Sequence, residues 1–182
     1  MVALSWLLRS VAIALAIAAN AAHAEGPADR SCEHSASRLI PFEAPTASDL
    51  LIVAIGPGPC HLASFSFTVT SHEGTVLYRY VSTFKQHTTM QWDDPGLIDE
   101  ARRLVEDTAS QALVARSEIP APMVPEADKE GDVVLAVPAS VYERLLDSGQ
   151  PMLVHSTYYE GTMFVMFDPV TNSARIVAQW SL

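Results

Sequence analysis

Beyond the first 24 residues the chain carries five histidines: His34, His61, His72, His87 and His155. No two stand at His-x-x-x-His or His-Glu-x-x-His spacing, so no local zinc signature is present. A metal site would have to be assembled in three dimensions, for example from His34 and His61, and neither a metal nor a cofactor is expected. His72 and His87 fall in turns and are expected to be solvated. His155 alternates with Leu153 and Thr157 on a strand, which suits it to an open sheet face. Its competing role is that of a half-buried structural side chain.

Other chemistries find little support. Carboxylates are paired at Asp93-Asp94, Asp99-Glu100 and Glu106-Asp107, as a glycosidase would need. All three pairs fall at the cap or on the polar face of one helix, where they complement its dipole or face water. The run Glu126-x-Asp128-x-Glu130-Gly131-Asp132 departs from a calcium loop at both ends. Its first position is Glu instead of Asp, and its twelfth falls on Val137 instead of the bidentate Glu. It reads as a solvated acidic loop. No Gly-x-Ser-x-Gly nucleophile turn occurs. Gly56-Pro57-Gly58-Pro59 is no phosphate cradle, because proline has no N–H to donate.

Cys32 and Cys60 are the only cysteines. They form no Cys-x-x-Cys motif, and in an exported chain a pair of this kind is expected to be a structural disulfide. Closing that loop stabilises the fold by about 3–4 kcal/mol through the unfolded state. It also removes any thiol nucleophile.

Export is read from the N-terminus. Arg9 precedes the short apolar run Val11–Ala19, and Ala22-His23-Ala24 has small residues where a signal peptidase looks. Residues 1–24 are therefore expected to be a cleaved secretory signal. The apolar run is far shorter than the roughly 20 residues of a membrane span. The mature chain is expected to be soluble, without stable membrane insertion, and periplasmic or secreted. Removing Arg9 leaves ten Lys+Arg against 21 Asp+Glu, a net charge of −11. That argues against nucleic acid as a partner.

The elements that must position these groups follow from periodicity. Residues 25–48 have no sustained period and read as an irregular N-terminal arm, tied down by Cys32. Residues 49–182 read as one α+β domain. Asp49–Ile55 is a short continuous apolar run that fits a buried strand, with a helical turn as the alternative. Leu62–Thr70 alternates Phe65, Phe67 and Val69 with serine and threonine, and a turn at His72-Glu73-Gly74 joins it to Thr75–Phe84. On that second strand Tyr78 and Tyr80 share one face, and Arg79 and Thr83 the other. Asp93–Ala115 has apolar residues at three- and four-residue steps and reads as the one long amphipathic helix, with Asp94 as N-cap and Pro95 at the first helical position. Asp132–Val137 reads as a strand and residues 139–148 as a second, short helix. A C-terminal meander follows, in which Thr162–Phe167 is apolar on both faces and therefore central.

The expected fold is a mostly antiparallel sheet of about six strands, with the long helix packed on it and the short one beside it. Arg79, His155 and Tyr159 are the candidate binding residues on its second face. The expected function is that of an exported binding or interaction protein without catalytic activity, taking a protein partner or a small ligand. The alternative is a small exported hydrolase with a site assembled around His155.

Overall fold

The computed structural model describes residues 30–114, 133–158 and 160–181. The segment read as an export signal, the run read as an acidic loop at 126–131 and Tyr159 lie outside the described residues.

Alternation of apolar and hydroxyl side chains makes the first half of the chain extended. Strands β1 (His34–Ile40), β2 (Asp49–Ile55), β3 (Ser64–Thr70) and β4 (Val76–Thr83) form an antiparallel sheet in chain order. Leu51, Val53, Ile55, Phe65, Phe67 and Val69 are buried on its inner face. In register, Phe67 lies between Val53 and Tyr80. Gly74, with φ +88°, closes the β3–β4 turn in the left-handed region.

A second antiparallel sheet contains β5 (Leu113–Val114), β6 (Val133–Leu135), β7 (Met152–Tyr158), β8 (Gly161–Asp168) and β9 (Ser173–Ser181), in the order β5-β7-β8-β9-β6. The α+β class and the antiparallel pairing match expectation, and nine strands are divided between two sheets. Leu153, Val165 and Phe167 of the second sheet join the inner face of the first in one core. Met152, Phe164, Met166, Val177 and Ala178 point the other way, into a second core under a helix.

Three local readings are corrected. The segment read as an irregular arm contains β1, which pairs with β2 from His34↔Ile55 to Ile40↔Asp49. It escaped notice because two of its four inward positions, His34 and Arg38, are polar and meet helix α1 (Leu97–Ser110), while only Ala36 and Ile40 pack on the apolar core. His34 reaches Glu106 of α1 at 3.3 Å, and Arg38 donates to the Ser110 carbonyl at 2.6 Å. The long helix, α1, spans Leu97–Ser110, shorter than Asp93–Ala115. Asp94 still serves its start, accepting the Gly96 N–H at 2.7 Å, but Gly96 is the cap and Pro95 precedes the helix. Within the helix, Leu97, Ala101, Val105 and Ala109 are buried, whereas Ile98 is exposed. At the other end no basic residue lies in the last turn, so Arg38 supplies the cation that the free carbonyls favour.

Helix α2 (Ala139–Asp147) lays Tyr142 and Leu145 on the outer face of the second sheet. Its Arg144 forks onto the buried Asp168 carboxylate at 3.0 and 2.9 Å, and Arg175 of β9 reaches the same group at 3.0 Å. The Arg144 hydrogen bonds, with the Val170 N–H and Arg175, hold the Asp168 carboxyl down at about 2. Cys32 and Cys60 form the expected disulfide, tying the chain before β1 to the loop before β3. No helix among the described residues is long and apolar enough to cross a membrane.

Candidate functional site

A line of polar side chains lies between the two sheets, and His155 is at its centre. Strand alternation turns His155 from β7 toward the first sheet, where it is only 3% exposed. Its ring is 4.7 Å from Phe67 on β3 and 4.7 Å from Tyr80 on β4, measured between centroids. Nδ1 lies 2.9 Å from the Ser156 carbonyl, which can only accept, so Nδ1 carries the hydrogen. Nε2 then accepts the Tyr78 hydroxyl at 2.8 Å. Burial pushes the imidazole pKa down and the Tyr78 phenol well up. Both groups are thus neutral, as this hydrogen bond requires. The Tyr80 hydroxyl donates to the Thr157 carbonyl, where the β7–β8 register shifts.

His87 is a correction to the expected solvated turn. It is buried, with Nε2 2.6 Å from Ser82 Oγ and Nδ1 3.1 Å from Ser156 Oγ, and its ring stacks 4.2 Å from Phe65. The cause is the 3-10 turn Phe84–His87. Phe84 is fully buried and donates its N–H to the Ala63 carbonyl, while Thr83 and Gln86 cap the turn reciprocally. That winds the turn against the core. Burial, and then the neighbouring His155, lower the His87 pKa to about 4.

The two rings therefore lie close to three hydroxyls, from Tyr78, Ser82 and Ser156. Among the described residues no carboxylate bonds either imidazole. A base with a pKa of about 4 is poorly matched to removing a hydroxyl proton near neutrality. Among the described residues, no group of three or more His, Cys, Asp or Glu side chains is arranged to hold a metal ion.

The structure does not bring the sequence candidates together. Arg79 lies between Tyr78 and Tyr80 on β4, so its side chain leaves the opposite face of the first sheet and is exposed. Tyr159 is outside the described residues. Arg79 belongs instead to the bare outer face of β1–β4. One row across that face reads Ser37, Ile52, Thr68, Arg79; the next reads Ser35, Ala54, Ser66, Val81. Leu39 and Leu50 pair beside them. Leu39 is 66% exposed and Val81 52%. None of the outward positions of the four strands is Asp or Glu.

Two clefts of about 370 Å³ each flank β7. One runs between α1 and β7, with Glu100, Arg103 and Asp107 on one wall and Val154 and Ser156 on the other. The other opens where β4 and the 3-10 turn meet the ends of β7, β8 and β9. Tyr78 and Tyr80 were legible as one strand face; Ser82, His87 and Ser156 had no sequence signal, because His87 meets Ser82 only where its turn folds back on β4 and meets Ser156 only across to the other sheet. No family model, no curated protein and no solved structure matches this chain.

Proposed function

We propose that this is an exported binding protein without catalytic activity, and that its partner is another protein docked on the bare face of β1–β4. The observation that carries this reading is the composition of that face. Among the described residues, the outward positions of these four strands carry no Asp or Glu, and Leu39, Ile52 and Val81 are exposed around one guanidinium. An exposed apolar patch of this kind, rimmed by hydroxyls, suits a protein contact. The partner must bring a carboxylate for Arg79. A face-to-face pair of two copies would bury two guanidiniums with no acid on either side. The signal-like N-terminus and the Cys32–Cys60 disulfide support a periplasmic or secreted location.

The hydrolase alternative around His155 draws less support. Its imidazoles are buried and neutral, and their hydrogen bonds go to hydroxyls and a carbonyl, with no acid to orient them for base catalysis.

A photo-crosslinking residue at position 81, in protein expressed with its export signal, tests the proposal. The expected result is one discrete adduct with a second polypeptide, reduced about tenfold or more by Arg79→Glu. The same probe at exposed Glu143 should give none. Equal adducts at both positions, or a dimer of this chain alone, would overturn it.

A further inference from the structure

We infer that the second cleft beside β7 is a binding site for a neutral saccharide, separate from the protein-docking face. Its lining is the reason. Tyr80, Tyr158 and Trp180 supply aromatic surface, Gln86 and Gln179 supply amides, and Thr162 a hydroxyl, and among the described residues no charged side chain lines the wall. In a chain of net charge −10 that is an unusual concentration of uncharged hydrogen-bonding groups.

The groups are held in place. Tyr80 is anchored by its hydroxyl to the Thr157 carbonyl and by its ring to His155, so the part of the ring lining the cleft is fixed. The Tyr158 ring lies across the end of the β7–β8 hairpin, over Gly161, where any Cβ would collide with it. Trp180 is on a strand between Thr162 and Val133, and strand positions hold side chains more rigidly than loops. Gln86 accepts the Thr83 N–H at 3.2 Å through Oε1. That orients its amide and leaves two N–H donors. The line of buried hydroxyls and imidazoles between the sheets thus acts as the scaffold behind one wall of this cleft.

The chemistry of the lining selects the ligand class. With no cation present, nothing offsets the desolvation of a phosphate or carboxylate, and with no acid present nothing holds an amine. A purely apolar ligand would bury the Gln86 and Gln179 amides without partners. A pyranose has an apolar C–H face to lie on a ring and a rim of hydroxyls that both donate and accept, matching amides and Thr162. A proline-rich strand also suits aromatic grooves, but its prolines lack N–H donors for the amide oxygens. The volume, about 370 Å³, lies at the small end of ligand pockets and suits one or two sugar rings.

Isothermal titration of the purified protein with maltohexaose, cellohexaose and chitohexaose decides the matter. At least one should bind saturably, with affinity weakened about tenfold by Tyr158→Ala and by Gln86→Ala. Arg79→Glu should leave it unchanged, so that this site and the docking face stand or fall separately. The inference is overturned if none of the three hexasaccharides binds, if neither cleft variant weakens binding, or if a hexaproline peptide binds more tightly than the sugars.

Discussion

The two sheets of this protein are built by the same antiparallel pairing and finished differently. The second sheet is covered on both faces. Leu153, Val165 and Phe167 enter the core shared with the first sheet, and Met152, Phe164 and Met166 lie under α2. Among the described residues, the first sheet is covered on one face only. The difference is written in the outward residues. In β8, Thr162–Phe167 is apolar at nearly every position and demands cover on both sides. In β3, Ser64, Ser66, Thr68 and Thr70 are hydroxyl side chains that tolerate an exposed or half-buried outer face, Ser66 donating to the Ala54 carbonyl at 3.4 Å. A hydroxyl-rich outer face lets the first sheet remain exposed there, as the proposed docking of a partner requires.

The sharpest way to break this contrast is to weaken the cover of the second sheet. Leu145→Ala, at a fully buried position on α2, should cost about 3–4 kcal/mol in urea unfolding. A loss below 1 kcal/mol would mean that α2 is not a true covering layer.

The contact between the sheets should also carry the sensitivity to acid. His87 has its pKa lowered to about 4 from 6.5. Between those values the unfolded chain takes up a proton that the folded chain refuses. Stability is therefore full above about pH 6.5 and falls as the pH drops toward about 4, by roughly 2–3 kcal/mol. His155, also lowered, acts with the same sign. The Asp168 carboxyl, held at about 2, adds a further loss only at lower pH. Urea midpoints at pH 7.5 and 4.5, compared between wild type and His87→Gln, check this. The variant should lose at least half of the difference, and an unchanged difference would contradict the burial argument.

The smallest effect is expected on the bare face. Ile52→Thr removes a partly exposed aliphatic side chain and should change stability by no more than about 0.5 kcal/mol. The crosslink at position 81 should nevertheless weaken. A large destabilisation, visible as a lowered Tm, would mean that the face contributes to folding and is not reserved for a partner.

Much of the fold was legible. Phe65, Phe67 and Val69 announced β3 by strict alternation, and Gly74 marked its turn. Thr162–Phe167 declared a central strand, Tyr142 and Leu145 a helix face, and Cys32 and Cys60 a disulfide. β1 was hidden because His34 and Arg38 face the polar flank and open end of α1. β5 was hidden because Ala112 and Leu113 continue the apolar spacing of α1 beyond the point where the helix stops. The candidate site was legible only in part. His155 was identified, but Arg79 was assigned to the same surface because, with only one sheet expected, both residues had to share its second face.

Composition and periodicity by themselves determined the α+β class, the strands other than β1 and β5, the two helices and the cysteine pair, because each depends on residues close along the chain or on residue type alone. Only the tertiary structure decided that there are two sheets, that His87 is buried with His155, and that one acid-free face stays open. Those outcomes depend on which surfaces meet across long stretches of chain, as across the 69 residues between His87 and Ser156. Local spacing carries no record of such meetings.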